Sequence, residues 1–532
     1  MRKLLKNLWA VFLSTGLLLF FFEVIFRFIG APGTSFFLEK VIIKEGLRPR
    51  KAPGEIRIFA FGESSLHGAH YFPVSSPSRW LQAYLKDFLP DKKIRVVNFA
   101  RMGSGANFAY RAFRGTLFYQ PDIAIFYVGH NAFLHRSRRK EVETEESSFN
   151  FHCRMFILKS YFIATVSRWF LKARMEARGG RSDDQIEFKV IETPPLGIGL
   201  ENSMPRNGPY YWDNIDFFKE NVAEILRLAR EKQIPVLFLK PVSNLKDFAP
   251  FHSVHMKTLT AGELAKWEKS YGEGKQKQIQ GNLTEALNFY LQAYQLDPTY
   301  ADLSFRLGQI YFRKGDLARA KQLFEEARDN DAIVFRATKD ILSYLEELEK
   351  SENLQLVDTE KVLAAEAPGG IMGEPIIEDN AHFSLKGHSL VGRLVAEELA
   401  ARNWIAPRSE WRFERERPYE EIARDLGIDQ DVMFTAALKM VNYFGSRFDN
   451  RVRFAKKALE IYPDDPRALR YLAWTYWLMG RKREALATYR KLAKVDRQAL
   501  DEVFKAQPSI RDAFEKSAVV PAITAKAAVQ AA

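Results

Sequence analysis

The chain has 532 residues, enough for two or three domains, and 47% of them are hydrophobic. Its formal net charge is +13, but the basic residues are mixed with acidic ones and no nucleic-acid-binding motif accompanies them. We therefore expect no nucleic-acid partner. The single cysteine, Cys153, excludes an internal disulfide.

The first element in the chain is an apolar segment from Leu8 to Ile29, which follows a basic start. A helix of roughly 22 residues reaches ~33 Å and can cross a bilayer. Residues 1–30 are therefore predicted to be a transmembrane anchor that contacts the membrane over residues 8–29. The basic start indicates a cytoplasmic N-terminus and a body outside the cytoplasm, periplasmic or at the cell surface. A cleaved signal peptide is the alternative, because small residues follow at 30–33.

Residues 31–55 are interpreted as a polar linker, after which an α/β body begins. Ile56 to Phe61 predict a buried strand that stops at Gly62, and Ser64 follows two residues later. Because α/β proteins bind their ligands at the carboxyl ends of their strands, Ser64 is a candidate nucleophile. A hydroxyl that merely caps a helix is the alternative at this position.

Three later stretches contain the partners that such a serine needs. Two predicted strands end in polar loops, one containing Gly103 and the other Asn131. Far downstream, Asp379 and His382 lie three residues apart, so one short loop can hold both. A serine hydroxyl becomes nucleophilic when an imidazole takes its proton and a carboxylate orients that imidazole. The developing oxyanion needs fixed hydrogen-bond donors.

In this order, the stretches resemble the four sequence blocks of the SGNH, or GDSL-type, hydrolase family. The resemblance covers residues 55–254 and 346–405 and implies a flavodoxin-like parallel-sheet sandwich. It further implies that Ser64, Asp379 and His382 form a catalytic triad. The implied oxyanion hole consists of Ser64, Gly103 and Asn131. No metal or cofactor is implied.

The chain departs from the family pattern at two positions. Glu63 stands where the family usually has Asp, and Ala132 where it often has Asp. Ala132 lacks a side chain that would help to hold the Asn131 loop, which leaves open what fixes that donor. Among nearby histidines, His67 is expected to pack or to face the substrate, and His388 to pack at the start of a helix.

A repeat interrupts the α/β pattern. Gly274, Ala286, Tyr290 and Ala293 recur 34 residues later as Gly308, Ala320, Phe324 and Ala327. This resembles the tetratricopeptide repeat, a helix-turn-helix unit that binds partners when stacked. A similar pattern recurs near the end of the chain, at Leu469, Leu472, Ala473, Tyr476, Ala485 and Tyr489. The predicted domains are an anchor (1–30), a hydrolase domain in two parts (31–254 and 346–405), inserted repeats (255–345), C-terminal repeats (406–505) and a tail (506–532).

The expected function is that of a membrane-anchored serine esterase or acyl hydrolase working through an acyl-Ser64 intermediate. The expected substrate is an acyl ester of envelope carbohydrate or lipid, by family analogy. An O-acyltransferase with the same site chemistry is one alternative, because only the acceptor differs. The other is a catalytically idle scaffold whose repeats bind a partner protein. Such a protein partner on the repeats is compatible with all three.

Overall fold

The computed structural model describes residues 36–134, 203–352, 354–445 and 447–517, together with the single positions 14, 21, 166, 169, 170 and 173. These residues divide into two compact units, which are described separately. The first extends to residue 422 and the second begins at residue 423. The predicted domain bounds remain predictions at this level of detail.

Among the described residues, no helix is both long and apolar enough to cross a membrane. The anchor predicted over residues 8–29 falls almost entirely outside them. The anchor therefore remains a prediction.

A five-stranded parallel sheet forms the centre of the first unit, with the strand order β2-β1-β3-β4-β5. The inner strands are buried on both faces and read as apolar runs, IAIFY and VLFL, whereas the edge strand KIRVVN is mostly half-buried and includes basic residues. Phe61, Phe126 and Phe238 stack in register across three strands, with ring centroids 5.2 and 5.0 Å apart. The predicted α/β parallel sheet is confirmed. Its strands are β1 (Glu55–Gly62), β2 (Lys93–Asn98), β3 (Ile123–Tyr127), β4 (Val236–Leu239) and β5 (Gln355–Val357).

Helices cover both faces of this sheet. One face is covered by the helices Pro77–Phe88 and Leu385–Ala401. These two helices pack closely together because Gly392 of the second has no side chain where it meets Trp80 of the first. The other face packs against α1, α4, α5 and α10. The helices of the body are α1 (Phe36–Lys44), α2 (Ser64–His67), α3 (Pro77–Phe88), α4 (Ala106–Thr116), α5 (Pro209–Lys232), α10 (Lys339–Glu352), α11 (Thr359–Leu363) and α12 (Leu385–Ala401), and α13 (Tyr419–Asp425) spans the boundary between the units.

The interpretation of residues 31–55 as a polar linker is wrong for its central part. Residues 36–44 form helix α1, and Leu38 and Ile42 are buried in the main core. Phe37 packs edge-on against Phe108 of α4, with ring centroids 5.5 Å apart. Two apolar residues four positions apart share one helix face, and that spacing outweighs the nearby Gly, Pro and Lys residues.

The inserted repeats form two helix pairs in the first unit. Each pair needs a glycine where its helices cross: a Cβ atom on Gly274 would lie 2.5 Å from the Tyr290 ring, and one on Gly308 would lie 2.8 Å from Phe324. The helices are α6 (Ala261–Ile279), α7 (Leu283–Leu296), α8 (Ala301–Arg313) and α9 (Leu317–Asp329).

The second unit is helical throughout its described residues. Ala473 and Tyr489 stand at the same 16-residue spacing as Gly308 and Phe324, and both are buried. The other predicted core positions of this repeat are buried as well. Its helices are α14 (Gln430–Tyr443), α15 (Phe448–Ile461), α16 (Pro466–Leu478), α17 (Lys482–Val495) and α18 (Arg497–Ala506).

Candidate active site

Ser64 lies at the carboxyl edge of the central sheet, immediately after β1. The chain can turn here because Gly62 has no side chain; a Cβ atom would lie 2.5 Å from the Tyr127 carbonyl oxygen. Ser64 is the first residue of α2, and Glu63 occupies the N-cap position, so the Ser64 hydroxyl does not cap the helix. Ser64 is partly exposed, whereas the other residues from 57 to 71 are buried. The serine therefore reaches the surface from an otherwise closed segment.

His382 and Asp379 approach Ser64 from a loop more than 300 residues downstream. The Nε2 atom of His382 lies 2.7 Å from the Ser64 Oγ atom, and its Nδ1 atom lies 2.5 Å from Asp379 Oδ2. An ionised carboxylate only accepts hydrogen bonds, so Nδ1 carries the ring proton and Nε2 is free to accept one from the serine. Three residues predicted from two distant blocks thus form one continuous hydrogen-bonded chain.

Asp379 is fully buried, and its oxygen atoms accept several hydrogen bonds. Its Oδ1 atom accepts the backbone N–H groups of Ala381 and His382 at 2.9 and 2.8 Å. Burial alone would raise the pKa of Asp379, but the charge and hydrogen bond of His382, together with the hydrogen bond from His70, hold that pKa well below its ordinary value. The carboxylate therefore stays ionised across the neutral range.

Gly103 and Asn131 lie on the loops that follow β2 and β3. Gly103 has a φ angle of +64°, and this loop is tied to the end of β1 by the Ser104 hydroxyl, which donates to the Gly62 carbonyl at 3.2 Å. The side-chain amide of Asn131 donates to the Ser104 carbonyl at 2.8 Å. Within the described part of the chain, the backbone N–H groups of Ser64 and Gly103 have no hydrogen-bond acceptor. The loops that bear the three predicted donors therefore meet beside Ser64.

The Asn131 loop is held by Glu63, which takes the place of the side chain that Ala132 lacks. The buried Glu63 side chain accepts the Gly129 N–H at 2.8 Å and the Asn131 N–H at 3.1 Å. It also accepts the N–H of the intervening residue His130. Burial raises the pKa of Glu63 to about 8, although these N–H groups act in the opposite direction. The extra methylene of Glu relative to Asp gives the carboxyl group the reach to hold three consecutive N–H groups.

The other histidines near the site are buried. His67 stacks on Phe72 with ring centroids 4.0 Å apart, and His388, in the first turn of α12, lies 3.0 Å from the Ser75 hydroxyl. His130 accepts the Ala337 N–H through Nδ1 at 3.1 Å, so its proton is on Nε2, facing the Tyr127 hydroxyl. Burial lowers the pKa of each of these three rings to about 3. None of them is placed to serve Ser64 as a base.

His70 is a site residue that the sequence analysis missed. Its Nε2 atom lies 3.0 Å from Asp379 Oδ2. The only sequence signal was its position six residues after the candidate nucleophile. His70, Asp379 and His382 are also close enough together to hold a metal ion. However, their facing ligand atoms already form hydrogen bonds with one another, so these residues fit a proton-transfer site better than a metal centre.

A broad basic cavity lies at the opposite edge of the sheet. Its volume is about 1530 Å³, and it is lined by residues before and within β1 and β2, including Arg48, Arg50, Lys93 and Arg95. Ser64 and His382 do not line it. The chemistry of the candidate site is therefore separate from this cavity.

Comparison with known proteins supports the repeats first. Family models of the tetratricopeptide repeat match residues 279–332 and 467–498. The predicted repeats are thus confirmed in both segments. A search of curated proteins found no match.

Solved structures similar to this chain include one that carries the GDSL name and one described as a lipase/acylhydrolase. A GDSL-like lipase from Bacteroides thetaiotaomicron VPI-5482 is 9% identical, with 69% of this chain and 98% of that chain covered and a TM-score of 0.30. A lipase/acylhydrolase from Enterococcus faecalis is 13% identical, with 65% and 96% covered and a TM-score of 0.27. YrrB, a tetratricopeptide protein with an unusual peptide-binding site, is 15% identical, with 44% and 90% covered and a TM-score of 0.14. The predicted resemblance thus has counterparts among solved structures for the hydrolase and for the repeats, but TM-scores this low carry no argument about the chemistry of this chain.

Proposed function

We propose that this protein is a serine hydrolase that cleaves acyl esters through an acyl-Ser64 intermediate. One observation carries the proposal: Ser64 Oγ, His382 and Asp379 form a hydrogen-bonded chain with distances of 2.7 and 2.5 Å. The chain lies at the carboxyl edge of a parallel sheet, where such folds bind ligands. A buried aspartate held ionised behind a histidine is the arrangement that base catalysis requires.

In the proposed acylation step, Ser64 Oγ attacks the ester carbonyl carbon while its proton passes to His382 Nε2. The carbonyl oxygen becomes an oxyanion, which accepts hydrogen bonds from the backbone N–H groups of Ser64 and Gly103 and from the side-chain amide of Asn131. The intermediate collapses as the alcohol leaves with the proton from His382. Asp379 remains ionised and stabilises the imidazolium. Each oxyanion donor is worth ~3 kcal/mol of barrier.

In the deacylation step, His382 takes a proton from the acceptor, whose oxygen attacks the carbonyl carbon of the acyl-Ser64 ester. The bond between that carbon and Ser64 Oγ then breaks, and His382 returns the proton to Ser64 Oγ. Water as acceptor gives hydrolysis, and a carbohydrate or lipid hydroxyl gives O-acyl transfer. Because both acceptors use the same residues, O-acyl transfer is the alternative activity of this site. A catalytically idle scaffold is less well supported, because such a protein would have no need to keep Ser64 hydrogen-bonded to an oriented imidazole.

The proposed substrate is an acyl ester of envelope carbohydrate or lipid, presented to a body anchored through residues 8–29. A reporter fused after Ala532 should then be active outside the cytoplasm, and the protein should remain with membranes after washing with carbonate. Release by carbonate would contradict the anchor. The tetratricopeptide repeats further suggest a partner protein, since stacked repeats form extended binding surfaces.

The proposal is tested with short-chain p-nitrophenyl esters and the full-length protein. Ser64→Ala and His382→Ala should each abolish hydrolysis without loss of folding, and the double variant should lose no more than either single one, because the residues act as a unit. Multiplicative losses would show that Ser64 and His382 act independently.

A matched control is Ser78→Ala. Ser78 is buried in α3, and its hydroxyl has no hydrogen-bond partner among the described residues. This variant should keep wild-type activity. An equal loss in Ser78→Ala and Ser64→Ala would point to a general loss of structure instead.

A further inference from the structure

Asp379 is shared by two histidines, and only one of them belongs to the proposed catalytic chain. His382 Nδ1 and His70 Nε2 both hydrogen-bond to Asp379 Oδ2, at 2.5 and 3.0 Å. The two imidazole rings meet edge to face, with centroids 4.9 Å apart and planes at 89°. His70 therefore binds the same oxygen of the orienting carboxylate as His382 does.

His70 is held in this position by an unusual backbone conformation. Its φ angle is +72°, in the left-handed region that residues other than glycine rarely occupy. The turn before it is tightly packed: the Gly68 and Ala69 N–H groups both donate to the Ser64 carbonyl. A Cβ atom on Gly68 would lie 2.1 Å from the Ser75 carbonyl oxygen. The turn that begins at the nucleophile thus carries a second imidazole donor to the aspartate, in a backbone conformation that is costly for residues other than glycine.

The surroundings of His70 keep it a neutral donor. It faces Asp379, His382 and the carboxyl group of Glu378, which accepts the Tyr71 hydroxyl at 2.8 Å. Burial lowers the pKa of His70, and this outweighs the opposing effects of Asp379 and Glu378. A neutral imidazole donates one hydrogen bond without adding a positive charge beside the imidazolium that forms on His382.

We propose that His70 is a positioning residue of the Ser64 reaction: its Nε2–H fixes the rotation of the Asp379 carboxylate and moderates its pull on His382. This inference builds on the proposed function. A hydrogen bond from His70 withdraws charge from Oδ2, so that Asp379 raises the basicity of His382 less than it otherwise would. Without this bond Oδ2 keeps His382 as its imidazole donor and the orientation of the carboxylate is less tightly fixed, and small misplacements of this kind cost catalysis.

The test uses a matched pair of variants in the full-length protein, His70→Gln and His70→Met. Both side chains are unbranched and of similar length, so both meet the same backbone cost, but only Gln offers an N–H to Asp379. In His70→Met, kcat for a p-nitrophenyl ester should fall about tenfold, and the acidic limb of the kcat/KM profile should move to higher pH. His70→Gln should keep the wild-type limb and most of the rate. Equal losses in both variants with an unmoved limb would overturn the proposal.

A second measurement separates this proposal from the hydrolase assignment. The low-field proton resonance of His382 Nδ1–H reports the hydrogen bond to Asp379 whether or not an ester is turned over. It should shift in His70→Met and in His70→Asn, and stay in place in His70→Gln. Asn tolerates the left-handed backbone but is too short to reach the carboxylate, so this variant covers the case in which Met disturbs folding. If the wild-type protein is inactive but shows this pattern, the proposed hydrolase activity is refuted, while the effect of His70 on the bond between Asp379 and His382 stands. An unshifted resonance in both Met and Asn variants would refute that role.

Discussion

The two sides of the candidate site each depend on a buried carboxyl group, and the two groups are stabilised in different ways. On the nucleophile side, comprising Ser64, Gly103 and Asn131, Glu63 accepts backbone N–H groups, and burial raises its pKa to about 8. On the base side, Asp379 faces two imidazoles, and its pKa lies well below the ordinary value. Burial raises the pKa of both carboxyl groups, but the neighbouring imidazoles outweigh burial at Asp379, whereas the N–H groups do not outweigh it at Glu63.

The two sides are also positioned by different parts of the chain. The nucleophile side follows directly from β1, β2 and β3, whose ends are brought together by sheet register. The base side depends on the segment by which the inserted repeats return to the sheet. There the Asn380 side chain donates to the Phe335 carbonyl at 2.8 Å. The nucleophile side meets the same segment through His130, whose Nδ1 accepts the Ala337 N–H. The Asn380 hydrogen bond is the link that joins the base side to the inserted repeats.

The largest expected effect distinguishes the two carboxyl groups. Asp379→Asn should lower kcat about a thousandfold or more, because the amide no longer holds His382 in the tautomer that accepts the serine proton. Glu63→Gln should lower kcat much less, since it touches no proton-transferring atom. Steady-state kinetics of both variants checks this order. A larger loss of kcat in Glu63→Gln than in Asp379→Asn would contradict the assignment of Asp379 as the carboxylate that orients His382.

On the nucleophile side, Asn131→Ala should lower kcat about a hundredfold and leave KM nearly unchanged, as expected for a donor engaged mainly in the transition state. The same assay measures both constants. A raised KM with normal turnover would make Asn131 a contact for the bound ester only.

The third expectation concerns stability and pH. Because the folded-state pKa of Glu63 is raised, its contribution to stability is complete below pH 4.5 and is lost as the pH rises through about 8. Asp379, whose pKa is lowered, contributes stability throughout this window. Urea unfolding between pH 5 and 9 should therefore show a decline in the free energy of unfolding that Glu63→Gln removes. An identical pH dependence in both proteins would mean that Glu63 does not titrate in this range.

The smallest effect tests the link to the inserted repeats. Asn380→Ala should lower kcat severalfold and the free energy of unfolding by ~1 kcal/mol, since one buried hydrogen bond is lost. Asn282→Ala is the control, because Asn282 caps α7 within the repeats. That variant should cost similar stability and leave kcat unchanged. Equal values of kcat in the two variants would mean that the bond between Asn380 and Phe335 has no special influence on the site.

The contrast between the two sides also explains how much the sequence could predict. Ser64, Gly103 and Asn131 follow apolar strands, so local patterns place them at strand ends, and the family resemblance assigns their roles. Asp379 and His382 were found through a family resemblance and their short spacing. His70 was missed because its partner is 309 residues away and no local pattern records that contact. The position of Glu63 was recognised, but its bonds to the Asn131 loop depend on the register of β1 against β3, which the sequence does not specify.

The packing around the sheet was predicted less well than its strands. The flanking Gly and Pro residues predict a linker where the structure has helix α1, although Leu38 and Ile42 lie on one buried face of that helix. By contrast, the repeats are evident from the sequence because Gly308 and Phe324 occur together: the Phe324 ring occupies the space that a side chain at position 308 would need. Patterns with a fixed period survive in the sequence, whereas single tertiary contacts do not.

The most direct test of the central claim is to trap the acyl-enzyme. The full-length protein is mixed with a short-chain p-nitrophenyl ester, quenched in acid within one turnover, and its peptides are analysed by mass spectrometry. We expect one acyl group per chain, located on Ser64, and none in Ser64→Ala. An acyl group on another residue, or equal labelling of Ser64→Ala, would contradict it.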